Sequence, residues 1–402
     1  MVWPGDSDRR RPRRVAVLGS TGSIGTQSLD VIEHLGGIDV CALAAGSNAD
    51  LLARQVDTWQ PELAGLVCCG QAEVPKLPAG TELLRGSDCL VEMIRRSKPD
   101  LVINGIVGAA GLAPTIAAIE IGADIAIANK ETLVCAGAVV MPAAAEAGVN
   151  IFPIDSEHSG LLQCLSGWQP HHIRQVVLTA SGGALRDWDD DAAAAATVDQ
   201  ALNHPTWQMG PKITVDSATL INKALEVIEA HWLFDLPAEK IAVVIHPESI
   251  IHAMVEFVDD SVVAQMGQPD MRTPISLALT WPDRIERSGK RLDLAELASL
   301  TFRRPEGRFA EAIELAYDVI GTGGLSGAVL NAANEVAVRA FLDGQLRFGQ
   351  ILPIVKDVLN RTPESEELTL ERLAEADRWA RREVCAALDA QTGTLTEHNH
   401  GT

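Results

Sequence analysis

The sequence predicts an α/β chain in three parts: a doubly wound parallel sheet, a central α+β domain and a C-terminal helical bundle. Three observations predict it. Apolar runs of strand length alternate with amphipathic stretches from Val15 to Phe152, the pattern turns mixed after Pro153, and from about residue 309 it is nearly all helical. Continuous apolar strands separated by helices belong to a sheet covered on both faces.

The elements follow in order. "RVAVLG" reads as a strand and "SIGTQSLDVIEHL" as a helix; "DVCALAAG", "LAGLVCC", "DLVING" and "DIAIAN" continue the strands. "NADLLARQVDTW", "CLVEMIRRS" and "LAPTIAAIEIG" supply the helices between them. This gives a Rossmann-like domain over 15–153. From 154 to 290, strands such as "RQVVLTA", "KIAVVIH" and "SVVAQM" mix with a long helix, "ATLINKALEVIEAHWLF". Residues 291–308 are polar and punctuated, as in a connecting segment, and 309–390 form the bundle. The basic leader (1–14) and the tail (391–402) are expected to be disordered. The alanine run at 192–196 beside "DWDDD" reads as a surface helix.

Composition narrows the function. The chain has 402 residues, 47% hydrophobic and 22% charged, in the range of globular domains. Its net charge of −21 argues against a nucleic-acid or anionic-membrane partner, and an anionic small substrate would need local positive groups. Seven scattered cysteines make no disulfide framework, which points to a cytoplasmic, reducing compartment. No apolar run reaches the roughly 18 residues of a membrane span, and no signal-peptide apolar region follows the leader.

The first strand ends in "GSTGSIG", with Gly19, Gly22 and Gly25 three apart. Following a strand and opening a helix, such a turn lets backbone approach a pyrophosphate at the helix N-terminus. The second strand ends in Gly46, Ser47 and Asn48, with no carboxylate before Asp50. A carboxylate there would bind a ribose 2′-hydroxyl and repel a 2′-phosphate, so its absence favours NADPH over NADH.

"PIDSEHSG" places Asp155 and Glu157 around Ser156, with His158 next. In an extended segment the two carboxylates share a face, and they repel unless a cation sits between them. Oxygen ligands favour Mg²⁺ or Mn²⁺. A hydrolase fragment and a polar turn remain alternatives, although Asp155, Ser156 and His158 are too local for a triad. In "NKALEVIEAHW", Asn222, Lys223 and Glu226 share a helix face, where Glu226 is either a third ligand or a solvated residue. Around them, "TASGG" puts Ser181 beside two glycines, where backbone N–H groups can be exposed, and Ser217 sits near an expected helix start as an anion contact or an N-cap. "NHPTWQMGPK" reads as a lid with Trp207 and Met209 as apolar covers. Cys135, in an apolar stretch, reads as a structural thiol.

These segments resemble one family: the 1-deoxy-D-xylulose 5-phosphate reductoisomerases. "GSTGSIG", "ANKETLV", "PIDSEHS", "NHPTWQMGPKITVDSATLINKALEVIEAHWLF", "HPESIIHAMVEF", "QMGQPDMRTPI" and "LNAANEVAVRAFL" carry the likeness, in order, from about residue 15 to 350. The resemblance implies an NADP-dependent oxidoreductase that rearranges a small phosphorylated sugar and reduces the product to 2-C-methyl-D-erythritol 4-phosphate. It assigns NADPH to Thr21, Gly22, Ser23, Ile24, Gly46, Ser47, Asn48, Asn129, Glu131 and Gly210. A divalent metal, Mg²⁺, Mn²⁺ or Co²⁺, falls to Asp155, Glu157 and Glu226. Substrate contacts fall to Lys130, Ser156, Glu157, Ser181, His204, Trp207, Ser217, Asn222, Lys223 and Glu226, with Lys130, Glu157 and His204 in catalytic roles. It also implies a homodimer. Ser47 stands where many members have a cation.

Overall fold

In the computed structural model, which describes residues 11–68, 77–286, 291–365 and 367–398, seven strands pair side by side in parallel. They are Arg14–Leu18 (β1), Asp39–Ala45 (β2), Leu63–Leu66 (β3), Glu82–Arg85 (β4), Leu101–Asn104 (β5), Asp124–Ile127 (β6) and Ile151–Pro153 (β7). Their order is β4-β3-β2-β1-β5-β6-β7. Val15 to Leu18 are wholly buried, as a central strand with both faces covered requires. The chain runs outward from β1 to β4 and then crosses to β5, so the winding reverses between β1 and β5. In such sheets a ligand crevice lies beyond the carboxyl ends of the two strands that flank the reversal. Strand β4, "ELLR", was not expected: it is short, polar at both ends and at the sheet's edge, where no apolar run is needed.

The chain divides into two units, and the division differs from the expected domain limits. The first comprises 1–132, 140–172 and 263–292. It thus keeps the Ser156–Leu165 helix and takes in Arg272–Thr280, which lies against Ser23–Leu35; Arg272 Nη2 meets Asp30 Oδ2 at 2.6 Å. The second comprises 133–139, 173–262 and 293–402. It merges the expected central and helical domains. Its sheet joins Ile173–Ala180 (β8), Ile241–Ile245 (β9) and Ile251–Phe257 (β10), with β8 parallel to β9 and antiparallel to β10. The helices Arg308–Thr322, Ser326–Leu342, Ile351–Leu359 and Leu370–His398 belong to the same unit; Tyr317 Oη donates to Ile241 O at 2.9 Å. Local periodicity does not say which helix covers which sheet.

Two helices depart from expectation. The last one continues through His398, across the segment from 391 read as a tail, because a lone glycine at 393 does not end a helix. The long helix expected from Ala218 is split into Pro211–Thr219 and Ile221–Phe234 by Leu220, at φ 66°. Residues 1–10 of the leader and Cys69 lie outside the described residues. Among the described residues no helix is long and apolar enough to cross a membrane.

Candidate active site

At the β1–β5 reversal the backbone leaves no room for side chains. Gly19, at φ +78°, would place a Cβ 2.7 Å from the carbonyl oxygen of Gly105, the residue after β5. A Cβ on Gly25 would lie 2.3 Å from Gly19 O, so this glycine seats the Ser23–Leu35 helix directly on the turn. Gly22 is the helix N-cap in extended conformation, with Ser23 and Ile24 opening the first turn. Early-turn N–H groups have no intrahelical partners and face an anion together with the positive helix end. The cradle fits a dinucleotide pyrophosphate. After β2, Gly46, Ser47 and Asn48 are exposed, and Asn48 N-caps the Ala49–Trp59 helix by accepting from Leu51 N at 3.1 Å.

Asn129 is wholly buried and braces this end of the sheet. Its Nδ2 donates to Ile106 O (2.7 Å) and Gly108 O (2.8 Å), while Oδ1 accepts from Thr132 N as the N-cap of Lys130–Ala147. Glu131 Oε2 lies 3.2 Å from the same nitrogen and shares one of these two hydrogens. Lys130 therefore sits in the first turn of a helix, where a cation is disfavoured by the helix dipole. It is nearly buried, and Asp155 Oδ2 lies 2.6 Å from its Nζ.

The acidic segment is not the extended strip that alternation suggests. Strand β7 stops at Pro153, Asp155 takes the N-cap position, and Ser156–Leu165 is helical. Asp and Glu at a helix start are ordinary N-terminal signals, and the positive helix end eases the repulsion between the two carboxylates. Ser156 Oγ donates to Glu157 Oε2 at 2.6 Å. Asp155, Ser156 and Glu157 are partly exposed, whereas His158 is wholly buried.

The second unit gathers the residues expected to hold an anion, around the carboxyl ends of the parallel pair β8 and β9. Gly183, at φ +71°, is pressed against the next segment: a Cβ there would lie 2.5 Å from Ser217 O. Ser217 lies at the end of the Pro211–Thr219 helix, not at a start, so the N-cap alternative falls. The left-handed Leu220 then turns the chain into the helix carrying Asn222, Lys223 and Glu226. Lys223 and Glu226 side chains are each 3% exposed and ion-paired, and Asn222 Nδ2 donates to Glu226 Oε1 at 2.5 Å. Glu226 is thus not the solvated helix residue that periodicity allowed.

His204 completes this group. Its Nδ1 accepts from Thr206 N (3.1 Å) and Trp207 N (2.9 Å), so the ring proton resides on Nε2 and faces Ser181 Oγ at 3.0 Å. Burial first, and the charge of Arg186 second, push its pKa down to about 4, and the ring is neutral at pH 7. Ser181 Oγ also accepts from Gly183 N at 3.2 Å, which leaves the hydroxyl hydrogen to point toward a ligand. Trp207 stands 6.4 Å from the His252 ring, centroid to centroid, and Gly210 N-caps the Pro211–Thr219 helix with open space at its Cα. Arg186 escaped the sequence argument, which stopped at Ser181 and its two glycines; the one available signal was a cation in an acidic chain.

The expected site residues thus form coherent groups within each unit: Thr21–Ile24, Gly46–Asn48, Asn129–Glu131 and Asp155–Glu157 in the first, and Ser181, His204, Trp207, Gly210, Ser217 and Asn222–Glu226 in the second. The three expected metal carboxylates offer oxygen only, which suits hard divalent cations.

Comparison with known proteins agrees. The 1-deoxy-D-xylulose 5-phosphate reductoisomerase family model matches residues 15–137, and models of that enzyme's C-terminal domain match 151–234 and 266–383. The chain is 47% identical over 387 residues to the reductoisomerase of Nostoc punctiforme, covering 94% of this chain and 97% of the relative. It is 46% identical over 377 residues to that of Citrifermentans bemidjiense, covering 92% and 97%. Among solved structures, the Zymomonas mobilis reductoisomerase in complex with NADPH superposes with a TM-score of 0.86 at 40% identity, covering 94% of this chain and 99% of that one. A DOX-P reductoisomerase in complex with NADPH, fosmidomycin and magnesium gives 0.89 at 38% identity, with the same coverage.

Proposed function

The chain belongs to the 1-deoxy-D-xylulose 5-phosphate reductoisomerase family, and on that premise we propose how its own side chains carry the reaction. The reaction is the NADPH-dependent conversion of 1-deoxy-D-xylulose 5-phosphate to 2-C-methyl-D-erythritol 4-phosphate, with a divalent metal such as magnesium. The observation that carries this conclusion is the 47% identity maintained over 94% of the chain. When bound, NADPH supplies the hydride and the metal supplies a Lewis acid for substrate oxygens.

The protein's part is to bind, orient and exclude water. The glycine turn with Thr21, Gly22, Ser23 and Ile24 takes the pyrophosphate, and Gly46, Ser47 and Asn48 take the adenosine end. Asp155, Glu157 and Glu226 hold the metal. Lys130, restrained by Asp155, donates a hydrogen bond or a proton to a substrate oxygen. Ser181, Ser217, Asn222 and Lys223 grip the phosphate, and neutral His204 orients the Ser181 hydroxyl. Trp207 and Met209 shield the site, which keeps the intermediate from escaping.

Manganese satisfies the same oxygen ligands as magnesium. A homodimer is supported by Val258 and Val262, exposed at 55% and 57%, since solvent-facing apolar groups favour self-association. A cytoplasmic location is supported by the absence of any disulfide among the six described cysteines.

The test is direct. Purified protein with NADPH and 1-deoxy-D-xylulose 5-phosphate should oxidise NADPH when Mg²⁺ or Mn²⁺ is present and stop when a chelator is added. NADPH loss that ignores the metal would remove the three-carboxylate assignment, and no loss at all would remove the function.

A further inference from the structure

The phosphate pocket has a charge problem. Ser181, Ser217 and Asn222 carry no charge, and Lys223 is the one cation assigned to the pocket so far, with the metal-site carboxylate Glu226 beside it on the same buried helix face. A sugar phosphate at neutral pH carries close to two negative charges, and the chain as a whole is at −21. Uncharged donors alone leave such an anion short of electrostatic compensation.

One further cation lies against the same loops. Arg186 packs its Cβ over Gly182, where an added Cβ would lie 2.7 Å away, so the glycine at φ +81° makes space for it. Its Nη1 reaches Ser181 O at 3.5 Å and Pro247 O at 3.4 Å, joining the segments that follow β8 and β9. The side chain is 21% exposed. Its acidic neighbour Asp187, 3.5 Å from Nε, is 66% exposed and shared with Arg303 at 3.0 Å, so solvent and a second cation weaken its hold. These contacts run through Nη1 and Nε.

We infer that Arg186 is the second cation of the phosphate pocket: it adds its charge to that of Lys223, and it positions the Ser181–Gly183 turn that meets the phosphate oxygens. The inference rests on the phosphate pocket assigned above and extends it by one residue. Arg186 acts through its field and through Ser181, and is in that sense a positioning residue. Its charge also favours the neutral His204 that fixes the Ser181 hydroxyl.

The experiment measures KM and kcat for 1-deoxy-D-xylulose 5-phosphate, and the inhibition constant of inorganic phosphate, in Arg186→Gln, Arg186→Lys and Lys223→Ala. Losing one charged partner of an anion should raise both KM and the inhibition constant about tenfold in Arg186→Gln, with a smaller change in kcat. Arg186→Lys, which keeps the charge, should recover most of that loss. The thermal melting temperature serves as the folding control. If Arg186→Gln fails that control, Asp187→Asn is read instead: deleting the competing charge should tighten phosphate inhibition, and an unchanged or weaker constant overturns the inference. Unchanged constants in a folded Arg186→Gln, or a Lys variant as impaired as Gln, overturn it too. If Lys223→Ala leaves phosphate inhibition unchanged, the pocket assignment itself is wrong; if Lys223→Ala weakens it and Arg186→Gln does not, the inference alone fails.

Discussion

His158 and His204 are equally promising histidines in the sequence, one beside two carboxylates and one in a lid. Packing separates them. His158 is wholly buried inside a helix, while His204 is partly accessible, with its tautomer set by two backbone N–H groups. The neutral state of His204 has a consequence for pH. Its folded pKa of about 4 lies below the ordinary 6.5, so between those values the unfolded chain binds more protons than the folded one. Its contribution to stability is complete above 6.5 and is lost as pH falls toward 4. Thermal melts across that window should therefore show a steeper loss of Tm in the wild type than in His204→Gln; parallel slopes would refute it. None of this is legible in the sequence, because burial and hydrogen-bond partners set a histidine's pKa.

At the scale of elements, turns carry most of the specificity. Gly183→Ala would drive a Cβ into the Ser217 carbonyl at 2.5 Å and strain a left-handed residue. A loss of about 2 kcal/mol or more is expected, with KM for the sugar phosphate raised and NADPH affinity intact. Gly321, with open space at its Cα in the Arg308–Thr322 helix, offers the opposite case. There Ala should gain up to about 1 kcal/mol, visible as a higher Tm. The strands of the parallel sheet were legible because burial on both faces demands continuous apolar runs. Asp155–Glu157 was misread as extended because alternation was weighed above the helix-start signal of Asp and Glu. The break at Leu220 was invisible, since a leucine in the left-handed region is held there by its surroundings and not by its own preference.

At the scale of the molecule, the chain visits each unit more than once. The Lys130–Ala147 helix begins in the first unit, contributes 133–139 to the second, and returns, with Ala136 out of helical geometry at φ −140°. Within the second unit, Gly327 admits this segment: a Cβ there would stand 2.0 Å from Val134 O. The proposed homodimer is also a property of this scale. Sedimentation velocity should give twice the chain mass, and Val258→Asp with Val262→Asp should shift the protein toward the monomer; a wild-type monomer would end the proposal.

The family, the wound parallel sheet and the glycine turn could all be read from the amino-acid order. These depend on local spacing and on motifs read in order along the chain. Tertiary structure decided the rest: that 263–292 joins the first unit, that Glu226 is buried against Lys223, that His204 is neutral, and that Arg186 lies over the Ser181–Gly183 turn. Spacing already sets Lys223 beside Glu226 and Arg186 near Gly182, but how deeply they are buried and what distant segment they meet, as Ser181 meets His204 and Arg186 meets Pro247, depends on the fold, through which burial and charge act.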